Sequence, residues 1–220
     1  MPIREFFQNF LEVIFPKKCF YCHQIGNVIC DDCLKKIDSP YLFEKGKQDS
    51  FEYLFCSHFY QGNMKMQMHQ FKFYEKAYLY EYFIRIALRD QRIVDFLKKF
   101  DVITYVPMQM QKKQKRGYNQ AELLAQELGK RLNLTVIPLL VKNKENKRQS
   151  SLKEEERWKN VKEIFSFAEN TDIHNKNMIL VDDILTTGAT TRRCSQILKE
   201  NGAGKICIFA IAKTKKLEKK

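Results

Sequence analysis

The chain has 220 residues, 44% of them hydrophobic and 17 of them Phe, enough to bury the core of one domain plus a small appendage. That apolar content excludes a disordered chain, and no stretch approaches the roughly 18 apolar residues that a membrane span needs. With 39 Lys and Arg against 26 Asp and Glu, the net charge of +13 is the footprint expected for a nucleic-acid partner, but equally that of a solvated basic surface. The N-terminus lacks the basic start, long apolar region and small-residue cleavage site of a signal peptide, so a cytoplasmic protein is expected.

The first segment, IREFFQNFLEVIFP, places Phe6, Phe7, Phe10, Leu11, Ile14 and Phe15 along one helical stripe that Pro16 stops. Glu5 and Glu12 oppose attraction to anionic lipid, so this stripe is expected to pack on the chain's own core. Cys19, Cys22, Cys30 and Cys33 follow as CxxC-x7-CxxC. In a reducing compartment paired thiolates at that spacing supply a tetrahedral zinc site more readily than two disulfides. Four protein ligands leave no open position, so the zinc would be structural. His23 is expected as an exposed neighbour of the knuckle, and Cys56 with His58 are too few for a second metal site.

After the knuckle, FEYLFCSHFY has the aromatic content of a strand, and residues 64–100 read as one or two amphipathic helices that are mainly scaffold. From Asp101 strand and helix alternate: DVITYVP a strand, GYNQAELLAQELGKRL a helix, NLTVIPLLV a strand, NMILVDD a strand, ATTRRCSQILKENG a helix and KICIFAIAKT a last strand. This rhythm predicts an α/β fold with a parallel, doubly wound sheet flanked by helices. Cys194 and Cys207 fall in its apolar pattern and are expected as small buried hydrophobes. The domain division expected is residues 1–50 for the helix and knuckle, 51–214 for the α/β domain and 215–220 for a basic tail.

Residues 178–191, MILVDDILTTGATT, carry the most chemistry. Four apolar residues predict a buried strand, with Asp182 and Asp183 emerging at its carboxyl end, where open α/β sheets bind ligands. Carboxylates accept hydrogen bonds from vicinal ribose hydroxyls. Thr186, Thr187, Gly188, Ala189 and Thr190 are small or hydroxyl-bearing, which lets backbone N–H groups close around a phosphate at the positive end of the next helix. The expected ligand is a phosphorylated ribose. A second anion-binding stretch is expected in the loop from residue 107 to 117, which holds Lys112, Lys113, Lys115 and Arg116 before Gly117. The polar run from residue 142 to 158 is long for a loop without an apolar period, which is uncommon unless the loop is mobile or functional, and Trp158 is expected to anchor its end in the core.

VDDILTTGATT resembles the phosphoribosyl pyrophosphate (PRPP) signature of type I phosphoribosyltransferases. FLEVIFPKKCFYC, VPMQMQKKQKRGYNQAELLA and RQSSLKEEERWKNVKEIF, in that order, narrow the resemblance to the ComF family of competence-associated proteins, from about Phe7 to Thr214. The resemblance implies a type I phosphoribosyltransferase-like sheet, PRPP bound with Mg²⁺ through Asp182 and Asp183, and pyrophosphate held by Arg116 and Gly117. It implies that Arg148, Gln149 and Arg157 close over PRPP, and that His69 and Lys72, in HQFKF, face the ribose pocket. It also implies a role in the uptake of transforming DNA, with single-stranded DNA and competence helicase or DNA-transport proteins as partners. Lys112, Lys113 and Lys115 are the candidate DNA contacts. Two functions stay open on the sequence: a phosphoribosyltransferase whose acceptor is unspecified, and a non-catalytic DNA-binding factor that keeps the fold as scaffold or PRPP sensor.

Overall fold

A computed structural model describes residues 16, 18–37, 42–48, 50–73, 76–143, 164–168 and 171–214. The chain divides into two compact units, Met1–Ser39 and Pro40–Lys220. The segment from residue 42 onward, grouped above with the knuckle, therefore belongs to the larger unit. The aromatic stripe before Pro16, the lid candidates Arg148, Gln149, Arg157 and Trp158, and the tail beyond Thr214 lie outside the described residues.

In the smaller unit the chain turns back on itself between Lys18 and Ile25, which form an antiparallel bridge. Backbone bonds from Cys19 N to Gln24 O (2.8 Å) and from His23 N to Cys19 O (2.9 Å) close the turn, and His23 takes a φ of 61° to complete it. The helix α1 (Asp31–Lys36) follows, with acids in its first turn and lysines in its last, the order that the helix dipole favours.

The larger unit contains β1 (Leu42–Gln48), β2 (Phe51–Phe59), α2 (Gly62–Phe73), α3 (Leu79–Ala87), α4 (Gln91–Leu97), β3 (Val102–Tyr105), α5 (Met110–Arg116), α6 (Gln120–Leu132), β4 (Thr135–Val136), β5 (Leu140–Lys142), β6 (Phe165–Phe167), β7 (Met178–Leu185), α7 (Ala189–Glu200) and β8 (Ile206–Lys213). Six strands form one sheet in the order β1-β2-β8-β7-β3-β4, parallel except for the edge strand β1. The parallel α/β fold expected from the alternation is the one observed. Two details differ from the expectation. The region 64–100 makes three helices, not one or two, and the stretch NLTVIPLLV splits into β4 and β5 across Pro138, which has no N–H to continue a ladder. β5 instead pairs antiparallel with β6, and residues 142–158 thus begin as a strand end.

The core strands are buried without alternation, as a sheet covered on both faces requires: Met178, Ile179, Leu180 and Val181 are fully buried, and so is nearly all of β8. Cys194 and Cys207 are buried among them, and burial pushes both thiols up from their ordinary range. Helix α6 lays Leu124, Ala125, Leu128 and Leu132 against β3, β4 and β7. It comes close enough at Gly129 that a Cβ there would meet Val136 Cγ2 at 2.6 Å. Helix α7 packs Cys194, Ile197 and Leu198 on Met178 and Leu180.

This topology fixes where a ligand enters. The crossover β3–α6–β4 runs outward in one direction and β7–α7–β8 in the other, so the order reverses between β3 and β7. Right-handed crossovers then put α6 and α7 on opposite faces and leave a crevice at the carboxyl ends of that pair.

Candidate functional site

The register shows how the crevice opens. β7 pairs with β3 only as far as Val181↔Tyr105, but continues along β8 to Leu185↔Lys213. Asp182 and Asp183, expected just past the strand, are thus held inside a one-sided strand extension, which fixes their backbone more firmly than a loop does. The space that β3 vacates is a cleft of about 190 Å³ lined by Asp182, Asp183, the chain after β3, Lys72, Lys112, Arg116, Gln120 and Lys142.

Three carboxylate oxygens in the pair have partners. Asp182 Oδ1 accepts from Asp183 N (2.8 Å), Asp183 Oδ1 accepts from Ile184 N (2.7 Å), and Asp183 Oδ2 forms an ion pair with Lys72 Nζ at 2.7 Å. Burial, and then the neighbouring charge of Asp183, push the Asp182 carboxyl up to about 8, although the Asp183 N–H and Lys72 pull the other way. Asp183 is thus ion-paired with Lys72, beside a second carboxyl, Asp182, that ionises reluctantly.

The other expected residues divide. Arg116 and Lys112 line the cleft with the acids. Arg116 sits 4.9 Å over the Phe73 ring and donates to Gln120 Oε1 at 3.5 Å. Gly117 does not line it: residues 110–116 form α5 rather than a loop, and Gly117 is that helix's left-handed C-cap at φ 80°. Its lack of a Cβ suits that left-handed conformation. Lys113 is paired with Glu122 at 2.7 Å, and Lys112 and Lys115 are exposed on the same short helix. Thr186, Thr187, Gly188, Ala189 and Thr190 follow the same strand end but are not part of the cleft lining. Gly188 is the left-handed N-cap of α7 at φ 75°, Thr187 Oγ1 accepts from Ala189 N (3.3 Å), and Thr191 Oγ1 donates to Gly188 O (3.1 Å). Of the pair in HQFKF, Lys72 reaches the cleft, whereas His69 packs on Phe73 in a tilted arrangement, ring centroids 4.8 Å apart, and lines a separate cavity.

Reasoning from the sequence missed the work of RGYNQ beyond its first two residues. Tyr118 donates its hydroxyl to the Phe71 carbonyl, Asn119 caps α6 through Ala121 N (3.1 Å) and donates to Val106 O (3.1 Å), and Gln120 is buried in the cleft wall. The Asn immediately before an apolar-periodic run was the available clue to the cap.

In the smaller unit the sulfurs of Cys19, Cys22, Cys30 and Cys33 all lie within 4.8 Å of one another, and Cys22 Sγ is 3.6 Å from Cys30 Sγ. A tetrahedral Zn–S distance of about 2.3 Å would set the sulfurs roughly 3.8 Å apart, so the group fits such an ion. Burial opposes the Cys19 thiolate, but backbone N–H groups of Cys22, Cys30 and Tyr21 hold it down at about 6. Desolvation and the neighbouring thiols push Cys33 up to about 12, the repulsion that a bound cation relieves. His23 lies outside this group, and among the described residues no other cluster of three or more His, Cys, Asp or Glu is poised for a metal. Cys56 is a core residue whose thiol donates to His58 O at 3.3 Å and is pushed by burial up to about 12.

No family model matches the chain. It is 28% identical to competence protein F of Haemophilus influenzae over 224 aligned positions, covering 90% of this chain and 98% of that protein. DNA utilization protein YhgH of Escherichia coli K12 is 27% identical over 67% of the chain and 66% of its own length. Competence protein ComFC of Bacillus subtilis is 32% identical over 53% of the chain, but only 46% of its own length is covered. Among solved structures, glutamine PRPP amidotransferase of B. subtilis overlaps 55% of the chain and 25% of itself with a TM-score of 0.39 at 21% identity. A hypoxanthine phosphoribosyltransferase of Staphylococcus aureus overlaps 60% of the chain and 61% of itself with a TM-score of 0.38 at 11% identity. No described helix is long and apolar enough to cross a membrane. By sequence, the chain is similar to competence protein F, YhgH and ComFC.

Proposed function

We propose that the crevice between β3 and β7 binds PRPP, and that the protein serves DNA uptake as a PRPP-dependent factor in the cytoplasm. The observation that carries this reading is the placing of Asp182 and Asp183 at the switch point of the sheet, opposite Lys112 and Arg116. The acids accept from the ribose hydroxyls. The 186–190 turn and the start of α7 take the 5′-phosphate, with Gly188 keeping the turn tight. Arg116 and Lys112 face the diphosphate, and Gly117 supports them as the cap of α5. Mg²⁺ entering with PRPP would be held by the carboxylates and would neutralise charge on the departing diphosphate. Zinc on the four cysteines supplies folding energy to the knuckle.

Isothermal calorimetry tests the assignment. Asp182→Asn with Asp183→Asn is expected to lower Mg²⁺-dependent PRPP affinity at least 100-fold while leaving fold and zinc content intact, and unchanged affinity refutes the site. For the zinc, metal analysis of the purified protein is expected to find about one ion per chain, and Cys30→Ser to lose it.

The names of the relatives, competence protein and DNA utilization protein, together with the charge of +13, support a second reading in which single-stranded DNA is bound and PRPP is only sensed. Pyrophosphate release from PRPP, screened with nucleobases, amines and nucleic acids as acceptors, separates the two: release that requires an acceptor and yields its ribosylated product makes the protein a transferase.

A further inference from the structure

The ion pair between Lys72 Nζ and Asp183 Oδ2, 2.7 Å long and mostly buried, is the least explained contact in the cleft. Lys72 belongs to neither strand end, because it comes from the last turn of α2, more than 100 residues before Asp183 in the chain. Its placing is built from both sides. Arg116 stacks on Phe73 at 4.9 Å, Tyr118 donates its hydroxyl to the Phe71 carbonyl, and Tyr82 donates to Gln67 Oε1 at 2.9 Å. The helix end that carries Lys72 is thus clamped by the same RGYNQ segment that walls the cleft. A second feature of this wall points to a ligand. Gln120 is 1% exposed, its Oε1 accepts from Arg116, and its Nε2 has no hydrogen-bond partner among the described residues. A buried amide donor left unmatched is costly unless something else supplies the acceptor.

We propose that Lys72 is a ligand-binding gate: its ammonium holds the cation place on Asp183 until a metal–diphosphate complex arrives, then transfers to the diphosphate. The inference rests on the PRPP reading above. Two cations sharing Asp183 Oδ2 would stand within about 4 Å of each other, since a divalent ion binds oxygen at about 2.1 Å. A bare divalent ion that takes Asp183 Oδ2 must therefore displace Lys72 and break its ion pair in a mostly buried site. A bare diphosphate attracts Lys72 but strips Asp183 of its counterion. Only the two together satisfy both groups, because the metal takes the carboxylate while the ammonium moves to a phosphate oxygen, and Gln120 Nε2 gains an acceptor on the same anion. The site so built answers to the metal-complexed diphosphate and rejects either component alone.

The test titrates full-length protein with Mn²⁺, read by electron paramagnetic resonance of the free ion, with and without PRPP or inorganic pyrophosphate. Lys72→Met is compared with Lys65→Met, which lies on the same helix but lines the separate cavity. Circular dichroism and zinc content check that each variant is folded. In the wild type and in Lys65→Met, PRPP is expected to tighten Mn²⁺ binding at least tenfold. In Lys72→Met, Mn²⁺ alone is expected to bind about tenfold more tightly and PRPP about tenfold more weakly, so that the coupling collapses. If the wild type binds the Mn²⁺–PRPP complex and Lys72→Met behaves identically, the gate is overturned and the PRPP reading stands. If neither protein binds PRPP or pyrophosphate with the metal, the PRPP reading falls and the gate with it.

Discussion

The ends of β3 and β7 face each other across one crevice, yet they are built in opposite ways. At β7 the groups are contiguous in sequence, and the backbone that carries Asp182 and Asp183 remains paired with β8 through Leu185. At β3 the ladder stops at Tyr105, and the basic side chains stand on a short helix, α5, that is capped by Gly117 and steadied by Arg116 on Phe73 and Lys113 on Glu122. The acidic wall is thus set by backbone pairing with β8 and the basic wall by side-chain contacts. Acids in a strand lose little freedom on binding, whereas Lys and Arg on a seven-residue helix must be ordered.

The largest expected effect breaks this comparison directly. The double Asn replacement at β7 is expected to remove PRPP binding, whereas Arg116→Ala at β3 costs about tenfold, roughly 1.4 kcal/mol, by the same calorimetry. If Arg116→Ala matches the double variant, the basic wall dominates and the contrast is reversed. A smaller effect separates the two glycines. Both have left-handed φ, so Gly188→Ala and Gly117→Ala are each expected to destabilise by about 1 kcal/mol in denaturant titration. On the proposed PRPP reading, Gly188→Ala should weaken PRPP more than Gly117→Ala, because Gly188 belongs to the turn proposed to take the phosphate.

Smaller again is the pH effect. The raised Asp182 carboxyl favours the protonated native form, so its contribution to stability is present below about 4 and is lost as pH rises through about 8. Asp182→Asn removes that loss, and the variant is expected to gain on the wild type by of order 1 kcal/mol between pH 5 and pH 9, read from urea midpoints. The smallest effect concerns DNA. With Lys113 paired and Lys112 in the cleft wall, Lys115→Ala is expected to lower the slope of log affinity against log salt for single-stranded DNA by about 0.7, one contact's worth. A slope that does not change removes Lys115 from the contact set.

The sequence by itself determined what local physics can encode. Alternating apolar runs specified the parallel sheet, the CxxC-x7-CxxC spacing brought four sulfurs within 4.8 Å, and the order of MILVDDILTTGATT placed two acids and a small-residue turn at one strand end. Tertiary structure alone decided the rest. Asp182 and Asp183 look like loop residues until β8 is seen to carry the ladder past them, because strand pairing on one side is a non-local fact. Gly117 reads as a loop glycine until α5 forms and makes it that helix's left-handed cap. Lys72 could not be placed against Asp183 by any spacing rule, since more than 100 residues separate them and a side chain's reach depends on how α2 is anchored. Periodicity and turn chemistry act over a few residues, whereas the balance of charge in a crevice depends on which distant segments the fold brings within a few ångströms.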